Sequence, residues 1–230
     1  MNKLNLPDVT LICADCLHAE RAIAVLEHCQ SVCNFGAVAF FTSLPCVYPH
    51  RIEIPHFDGL NDYSAFMLKK LGSYVTTSHI QVVQYDGWIL NTDLWNPEWL
   101  NYDYVAPPFI QSTTLEDAAI GSGGFSLRSK ALTDAVAKLL PPWDGQHSYD
   151  NSAGNNWGHE DGVISHRLRP ALTDMGFRYI TPKEAIKYAF GGNPYFFEER
   201  TFGFHGFWPK VSNQLTTPFT REQLRLYGTE

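Results

Sequence analysis

The sequence predicts an α/β fold with one mostly parallel central sheet and helices on both of its faces. Short apolar runs alternate with segments of helical period over the first ninety residues. These runs lack the polar–apolar alternation of a strand with one wet face, so both faces of the sheet need a cover. At 230 residues, with 44% hydrophobic and 18% charged, the chain has material for one large core and too little for two ordinary domains. A single domain over 1–230 is expected.

The elements follow in order. Residues 9–13 (VTLIC) are a buried-strand run, and residues 20–31 carry Ile23, Val25 and Leu26 at helical spacing. Residues 37–41 (AVAFF) form a second run, closed by Thr42-Ser43-Leu44-Pro45, and 51–55 a third. Residues 62–71 read as a helix stopped by Gly72, and 79–84 as a fourth strand ending at Tyr85-Asp86-Gly87. Parallel sheets bind ligands at the C-terminal ends of their strands, which singles out Ala14-Asp15, Thr42-Ser43 and Tyr85-Asp86. Beyond them come a shorter strand over 102–108 and a glycine-rich turn over 121–127 that leads into a helix over 129–139. The stretch 141–157, rich in Pro, Gly, Asn and Ser, reads as a mobile loop. A helix is expected over 160–175, and another opens with Thr181 as cap and Pro182 at its first position. Residues 201–208 alternate glycine and aromatic side chains around one histidine.

Composition excludes some partners. With 17 Lys+Arg against 24 Asp+Glu the formal charge is -7, which disfavours a broad nucleic-acid face. No apolar run approaches the length of a membrane span, and the N-terminus reads as the first strand and not as a secretory leader. The 5 cysteines are an odd number crowded into the first fifth of the chain, so reduced thiols and a cytoplasmic location are expected. Cys13-x-x-Cys16 and Cys29-x-x-x-Cys33 leave a zinc site as the alternative to buried structural thiols.

Four constellations carry chemical content, each beside a plainer reading. Asp86 at a strand tip is either a turn residue or a ligand for Mg²⁺ or Mn²⁺, which need only one or two protein carboxylates when phosphate and water complete the shell. Gly121-Ser122-Gly123-Gly124 is neither a dinucleotide fingerprint nor a Walker loop. It is either a tight turn or a place where a ligand approaches the backbone. Glu160 and Asp161 are either helix-dipole acids or a general base. His205, between Gly203-Phe204 and Gly206-Phe207, is either structural or ligand-facing.

Taken together, these pieces resemble a glycosyltransferase of the GT-A fold, and more narrowly a family of GT-A-like domains found in bacteria, fungi and viruses. The residues that carry the resemblance are Val83-Gln84-Tyr85-Asp86-Gly87, Tyr102 to Pro108, the GGFSLRS block over 123–129, Glu160-Asp161 and the FGFHGF block over 202–207. The likeness spans about residues 8 to 208.

The resemblance implies a nucleotide-sugar-dependent, hexosyltransferase-like enzyme. About 1–90 would be the nucleotide half, about 91–210 the donor-sugar and acceptor half, and 211–230 a tail. Such enzymes usually carry Asp-x-Asp where this chain has Gln84-Tyr85-Asp86, so Asp86 would be the sole carboxylate on Mn²⁺ or Mg²⁺. His205 would complete the metal site, and Gln84 could help through its amide. Glu160 and Asp161 would supply the base for an inverting transfer, with Asp161 slightly favoured. Asp15 is a candidate for base or ribose contacts, Arg21 for the diphosphate, and Gly123-Gly124 would pass beneath the donor sugar. Lys69 or Lys70 would reach phosphate or simply face solvent. Trp88, Trp157, Phe204 and Trp208 are candidate acceptor walls. The donor would be a UDP-sugar or similar, and the acceptor a glycan, protein or small molecule. Two other readings stay open. One is a carbohydrate-binding module on a decayed scaffold, motivated by the missing first aspartate. The other is a phage-type DNA glycosyltransferase gripping its substrate with a strip around Arg167, Arg169 and Lys183.

Overall fold

The structure is a computed structural model that describes residues 3–109, 112–116, 118–142, 159–193, 195–196 and 198–206. Strands β1 (Leu4–Ala14), β2 (Cys33–Thr42), β3 (Arg51–Glu53) and β4 (His79–Val83) are mutually parallel. Further along the chain come β5 (Gly87–Ile89), β6 (Tyr104–Val105), β7 (Phe125–Ser129), β8 (Ala189–Phe190) and β9 (Gly203–His205). The main sheet has six strands in the order β3-β2-β1-β4-β7-β6, with β7 antiparallel to both of its neighbours. A second sheet of three strands runs β5-β9-β8.

Both faces of the main sheet are covered, as the unbroken apolar runs require. Leu11 and Cys13 of β1 belong to one core with Ala22, Val25, Leu26 and Cys29 of α1 (Ala19–Val32). The intervening Ile12 and Ala14 belong to another with Tyr63, Phe66 and Met67 of α2 (Leu60–Lys69). This is the period-two alternation of a strand, with an apolar partner on each side. Phe41 and Phe66 meet at a centroid distance of 5.1 Å. Each such buried side chain contributes about 1.5–3 kcal/mol.

The chain leaves β1 through α1 to β2 on one side and returns through β3 and α2 to β4 on the other. Such a reversal opens a crevice at the carboxyl ends of the strands. Asp15 follows β1 there, and Gln84-Tyr85-Asp86 follows β4. The small sheet then brings in the far end of the chain, since β5 pairs antiparallel with β9 and Gly87 lies opposite His205.

The second half departs from expectation in three places. The block read as a turn into a helix contains a full strand, β7, beside β4. Phe125 and Leu127 alternate along it with Ser126 and Arg128, and the glycines mask the pattern. The strand expected over 102–108 shrinks to β6, because Pro107 and Pro108 cannot donate to a ladder. The helix expected over 160–175 is three pieces: α4 (Glu160–Gly162), a π-helical turn over Val163–Arg167, and α5 (Arg169–Asp174). The Leu168 N–H reaches back five residues to the Val163 carbonyl at 2.9 Å, and Pro170 restarts the coil.

Elsewhere the sequence signals hold. Ser129 caps α3 (Lys130–Leu139), its hydroxyl accepting from the Leu132 N–H at 3.0 Å, and Thr181 caps α6 (Pro182–Tyr188) in the same way. Lys69 donates to the carbonyls of Ala137 and Leu140, so its ammonium closes the end of α3 and is not directed at phosphate. Lys70 is exposed. All five cysteines are free; Cys13, Cys16, Cys29 and Cys33 are buried. Burial pushes the Cys29 and Cys33 thiols up to about 12, in keeping with buried structural thiols. Among the described residues no helix is long and apolar enough to cross a membrane. Residues 143–157 of the expected loop, Trp157, Phe207, Trp208 and the tail 211–230 lie outside the described residues.

Candidate functional site

The site begins with a turn. Gly87 donates to the Gln84 carbonyl at 2.9 Å, and the Trp88 indole N–H donates to the Tyr85 carbonyl at 2.8 Å. Gly206 donates to the Asp86 carbonyl at 2.8 Å, which ties the turn to the end of β9. Asp86 and His205 therefore converge, with Oδ1 of the acid 3.6 Å from Nε2 of the ring.

Three acceptor-capable atoms face one another at this point. Besides Asp86 Oδ1 and His205 Nε2, the Gln84 Oε1 lies 3.2 Å from the same ring nitrogen. The Gln84 amide is held in this sense because its Nε2 donates to the Tyr63 hydroxyl at 2.8 Å. His205 Nδ1 pairs with the Ser122 hydroxyl at 2.6 Å. An amide oxygen only accepts, so the 3.2 Å bond has Nε2–H donating to Gln84 Oε1 while Nδ1 accepts from Ser122; with the proton on Nδ1 instead, Nε2 presents a lone pair toward both oxygens. Asp86 Oδ1 is buried and makes no hydrogen bond. A buried carboxylate oxygen without a donor is costly unless a cation meets it.

That orphaned oxygen is the test of a metal here, and the residues fit one. Carboxylate, imidazole and amide oxygen suit Mn²⁺ or Mg²⁺ with phosphate and water completing the shell. Ser122 stands behind His205 as an orienting partner. Among the described residues no group of three or more His, Cys, Asp or Glu side chains forms a metal cluster. The protein contribution to a metal would therefore be two such ligands and an amide.

The glycine turn wraps around this cluster. A Cβ on Gly124 would sit 2.1 Å from His205 Nε2 and 2.4 Å from Gln84 Oε1, so a side chain there would displace both. Ser122, at φ 56, is a non-glycine residue in the left-handed region, held while its hydroxyl engages His205.

Gly123 abuts the second acidic group. Its N–H donates to Asp161 Oδ2 at 3.0 Å, and the Gly162 N–H donates to Asp161 Oδ1 at 2.7 Å. Glu160 is spent differently. It is buried at 4% exposure and accepts from Arg128 Nη2 at 2.9 Å. Burial, with Asp161 adding, pushes the Glu160 carboxyl above the usual carboxylate range, while Arg128 pulls the other way. The two acids thus separate into a buried ion-pair partner and a half-buried carboxylate whose oxygens each keep a lone pair.

The first-strand candidates lie beside Tyr85. Arg21 stacks over the Tyr85 ring at 5.8 Å. Burial raises the Tyr85 phenol, Asp86 and Asp15 add to the rise, and Arg21 opposes it. Asp15 shapes the entry to α1, its Oδ1 accepting from the N–H groups of Leu17 and His18 at 2.6 and 2.8 Å. Arg21 also lines a cavity of about 810 Å³ with Leu17, His18, Ala24, Leu44 and Pro45, at the carboxyl ends of β1 and β2. That is room for a nucleoside-sized ligand.

Two expected walls are not walls. Trp88 is 2% exposed and packs its ring 5.0 Å from His28, and Phe204 is fully buried. Both serve the core because they face inward from the β5–β9 pair. The sequence reading also missed Tyr63, Ser122, Ser126 and Arg128. Only Arg128 had a signal: an arginine inside an apolar strand demands an acidic partner.

No curated protein sequence matches the chain. By structure it is similar to a glycosyltransferase involved in the glycosylation of the major capsid of PBCV-1, with TM-score 0.51 and 10% identity over 95% of this chain and 98% of that one. At that identity the likeness is one of fold, and the fold is GT-A-like. Weaker likenesses are to mannosyltransferase PcManGT from Pyrobaculum calidifontis in complex with GDP-Man and Mn²⁺ (TM-score 0.45, 13% identity, 80% of this chain, 58% of that one). Another is to the bifunctional IspDF from Campylobacter jejuni (TM-score 0.44, 14% identity, 75% of this chain, 48% of that one). Residues 49–205 match a family described as protein of unknown function (DUF5672), and the chain belongs to that family.

Proposed function

We propose that this chain is a glycosyltransferase that moves a sugar from a nucleoside-diphosphate sugar to a hydroxyl-bearing acceptor, with Mn²⁺ or Mg²⁺ at Asp86 and His205. One observation carries the reading: the buried Asp86 Oδ1, which makes no hydrogen bond, 3.6 Å from a His205 Nε2 that also faces Gln84 Oε1. The GT-A-like fold supports it, since the cluster lies at the strand ends where such sheets take ligands.

In this reading the half over about 1–90 takes the nucleotide, with the cavity lined by His18 and Arg21 receiving the base and ribose and Asp15 shaping the turn that leads to it, and the half over about 91–210 takes the sugar and acceptor. A bound divalent ion offsets the negative charge of the departing diphosphate. The chain's own groups do the rest. Asp86, Gln84 and His205 would hold the ion that meets the diphosphate, and Gly123-Gly124 lets the donor sugar approach the backbone. Asp161 takes the acceptor proton as the acceptor oxygen bonds to the anomeric carbon. The bond from that carbon to the diphosphate oxygen breaks, and the nucleoside diphosphate leaves with the electron pair. Attack opposite the leaving group inverts the centre, through an oxocarbenium-like transition state.

The test is calorimetric binding of a panel of UDP-, GDP-, dTDP- and CMP-sugars with Mn²⁺ and with EDTA. One donor is expected to bind in Mn²⁺ and to lose at least about tenfold in affinity with EDTA. Binding by no nucleotide, alongside glycan binding, would transfer the case to a carbohydrate-binding module.

Ser122 supplies a finer check. Ser122→Gly removes the hydroxyl from His205 while relieving the left-handed backbone, so the fold is kept. Its Mn²⁺-dependent donor affinity is expected to drop about tenfold, as for other partners behind a metal-binding histidine. Unchanged affinity would show that His205 needs no orientation from Ser122.

A further inference from the structure

We propose that Arg128 and Glu160 are positioning residues that set the orientation of Asp161 through the backbone of Gly123. The inference rests on the reading of Asp161 as the base and adds the device that places it.

The Gly123 backbone is gripped at both ends. Its N–H donates to Asp161 Oδ2 at 3.0 Å. Its carbonyl accepts from Arg128 Nη2 at 3.2 Å and from the Ser126 hydroxyl at 2.9 Å. Arg128 Nε in turn donates to Ser126 Oγ at 2.9 Å, and Nη2 donates to Glu160 Oε1 at 2.9 Å. Glu160 is bonded in sequence to Asp161, so the network closes on itself. It runs from Asp161 through Gly123 to Arg128, then through Glu160 back to Asp161.

No side chain fits inside this ring. A Cβ on Gly123 would lie 2.2 Å from Glu160 Oε1 and 2.8 Å from Arg128 Nη2. The anchor is rigid, because Arg128 lies in β7 between two strands, opposite Ile80 of β4 and Tyr104 of β6. The Tyr104 ring lies under its guanidinium at 5.6 Å. The Glu160 N–H also donates to Ser64 Oγ of α2 at 3.3 Å, which fixes the other end.

Stability alone does not account for such a pair. The Arg128 and Glu160 side chains are 1% and 5% exposed, and a buried ion pair of this kind is often matched or bettered by apolar residues of similar volume. What apolar residues would not reproduce is the grip on the Gly123 carbonyl. A base displaced by a fraction of an ångström loses alignment with the acceptor proton.

The experiment replaces both charges together, Arg128→Met with Glu160→Leu, so that neither is left buried alone. Three readouts are taken on the full chain: thermal midpoint, donor kinetics in Mn²⁺, and the amide resonance of Gly123 in ¹⁵N-labelled protein without substrate. The midpoint is expected to hold or rise, and KM for the donor to stay within about threefold while kcat for transfer or donor hydrolysis falls about thirtyfold. The Gly123 amide is expected to shift, as it should in Asp161→Asn. A kcat within about threefold of the parent, or an unmoved Gly123 resonance, overturns the proposal. Should the double variant not fold, Glu160→Gln keeps the shape, and its Gly123 resonance decides in the same way. Failure of the base reading looks different: Asp161→Asn would then transfer normally while Gly123 still responds to loss of the Arg128–Glu160 pair.

Discussion

Asp86→Ala is expected to abolish the Mn²⁺ dependence of donor binding, with a loss of about a hundredfold or more in affinity when the metal is present. It is the sole carboxylate at the tip of β4, and His205 and Gln84 together offer only neutral ligands. In the proposed site, removing it would take away the one carboxylate charge facing the ion. The same substitution should leave the fold intact or slightly more stable. Asp86 Oδ1 is buried without a hydrogen bond, its ion-pair contact with His205 is long at 3.6 Å, and the contact that ties this turn to β9 uses the Asp86 carbonyl, which alanine retains. Deleting an unsatisfied buried oxygen removes a desolvation cost of about 1–3 kcal/mol and breaks no side-chain hydrogen bond. A residue conserving the fold would behave in the opposite way. The measurement is therefore paired: calorimetric donor binding in Mn²⁺ and in EDTA, and the thermal midpoint. Lost affinity with a held or raised midpoint marks a ligand site. Retained Mn²⁺-dependent binding would remove Asp86 from it. His205→Ala should weaken binding in the same direction.

How much of this was legible beforehand depends on the range of the signal. The first half could be read because each strand of the parallel sheet is an apolar run and each helix has its own period. The crevice could be named because Asp15 and Asp86 follow such runs directly. The pairing of Asp86 with His205 needed more, since β5 and β9 are three residues each and carry no periodicity. The resemblance suggested it, and the Gly87–His205 register provides it. β7 escaped because two glycines precede it and its polar positions look like loop. The fate of Glu160 and Asp161 was beyond sequence altogether. They are adjacent acids of the same charge, and what separates them is Arg128, 32 residues away and reached only through the fold. Gly124 shows the limit from the other side. Its glycine signal was visible, but its cause, the His205 ring and Gln84 amide against which a Cβ would collide, comes from two distant elements.

Asp161→Asn is the complementary experiment, and its expected result is intact donor binding with transfer reduced by about a thousandfold. Asp161 stands apart from the proposed metal ligands, against Gly123 and not against His205, so an ion held there should bind as before. Adjacent glycines nevertheless join the two groups, Gly124 lying against His205 and Gly123 bonded to Asp161. The asparagine oxygen can accept from one of the two N–H groups that hold the carboxylate, so the turn is largely kept while the capacity to take a proton is lost. Glu160 offers no substitute, because its carboxylate is already committed to Arg128 at 2.9 Å. Three readouts decide the matter: donor Kd, single-turnover transfer rate, and the anomeric configuration of the parent enzyme's product by NMR. Inversion in the parent together with a slow variant supports the base role. Transfer by Asp161→Asn within about tenfold of the parent, or a retained configuration in the product, would require the acceptor proton to leave by another route.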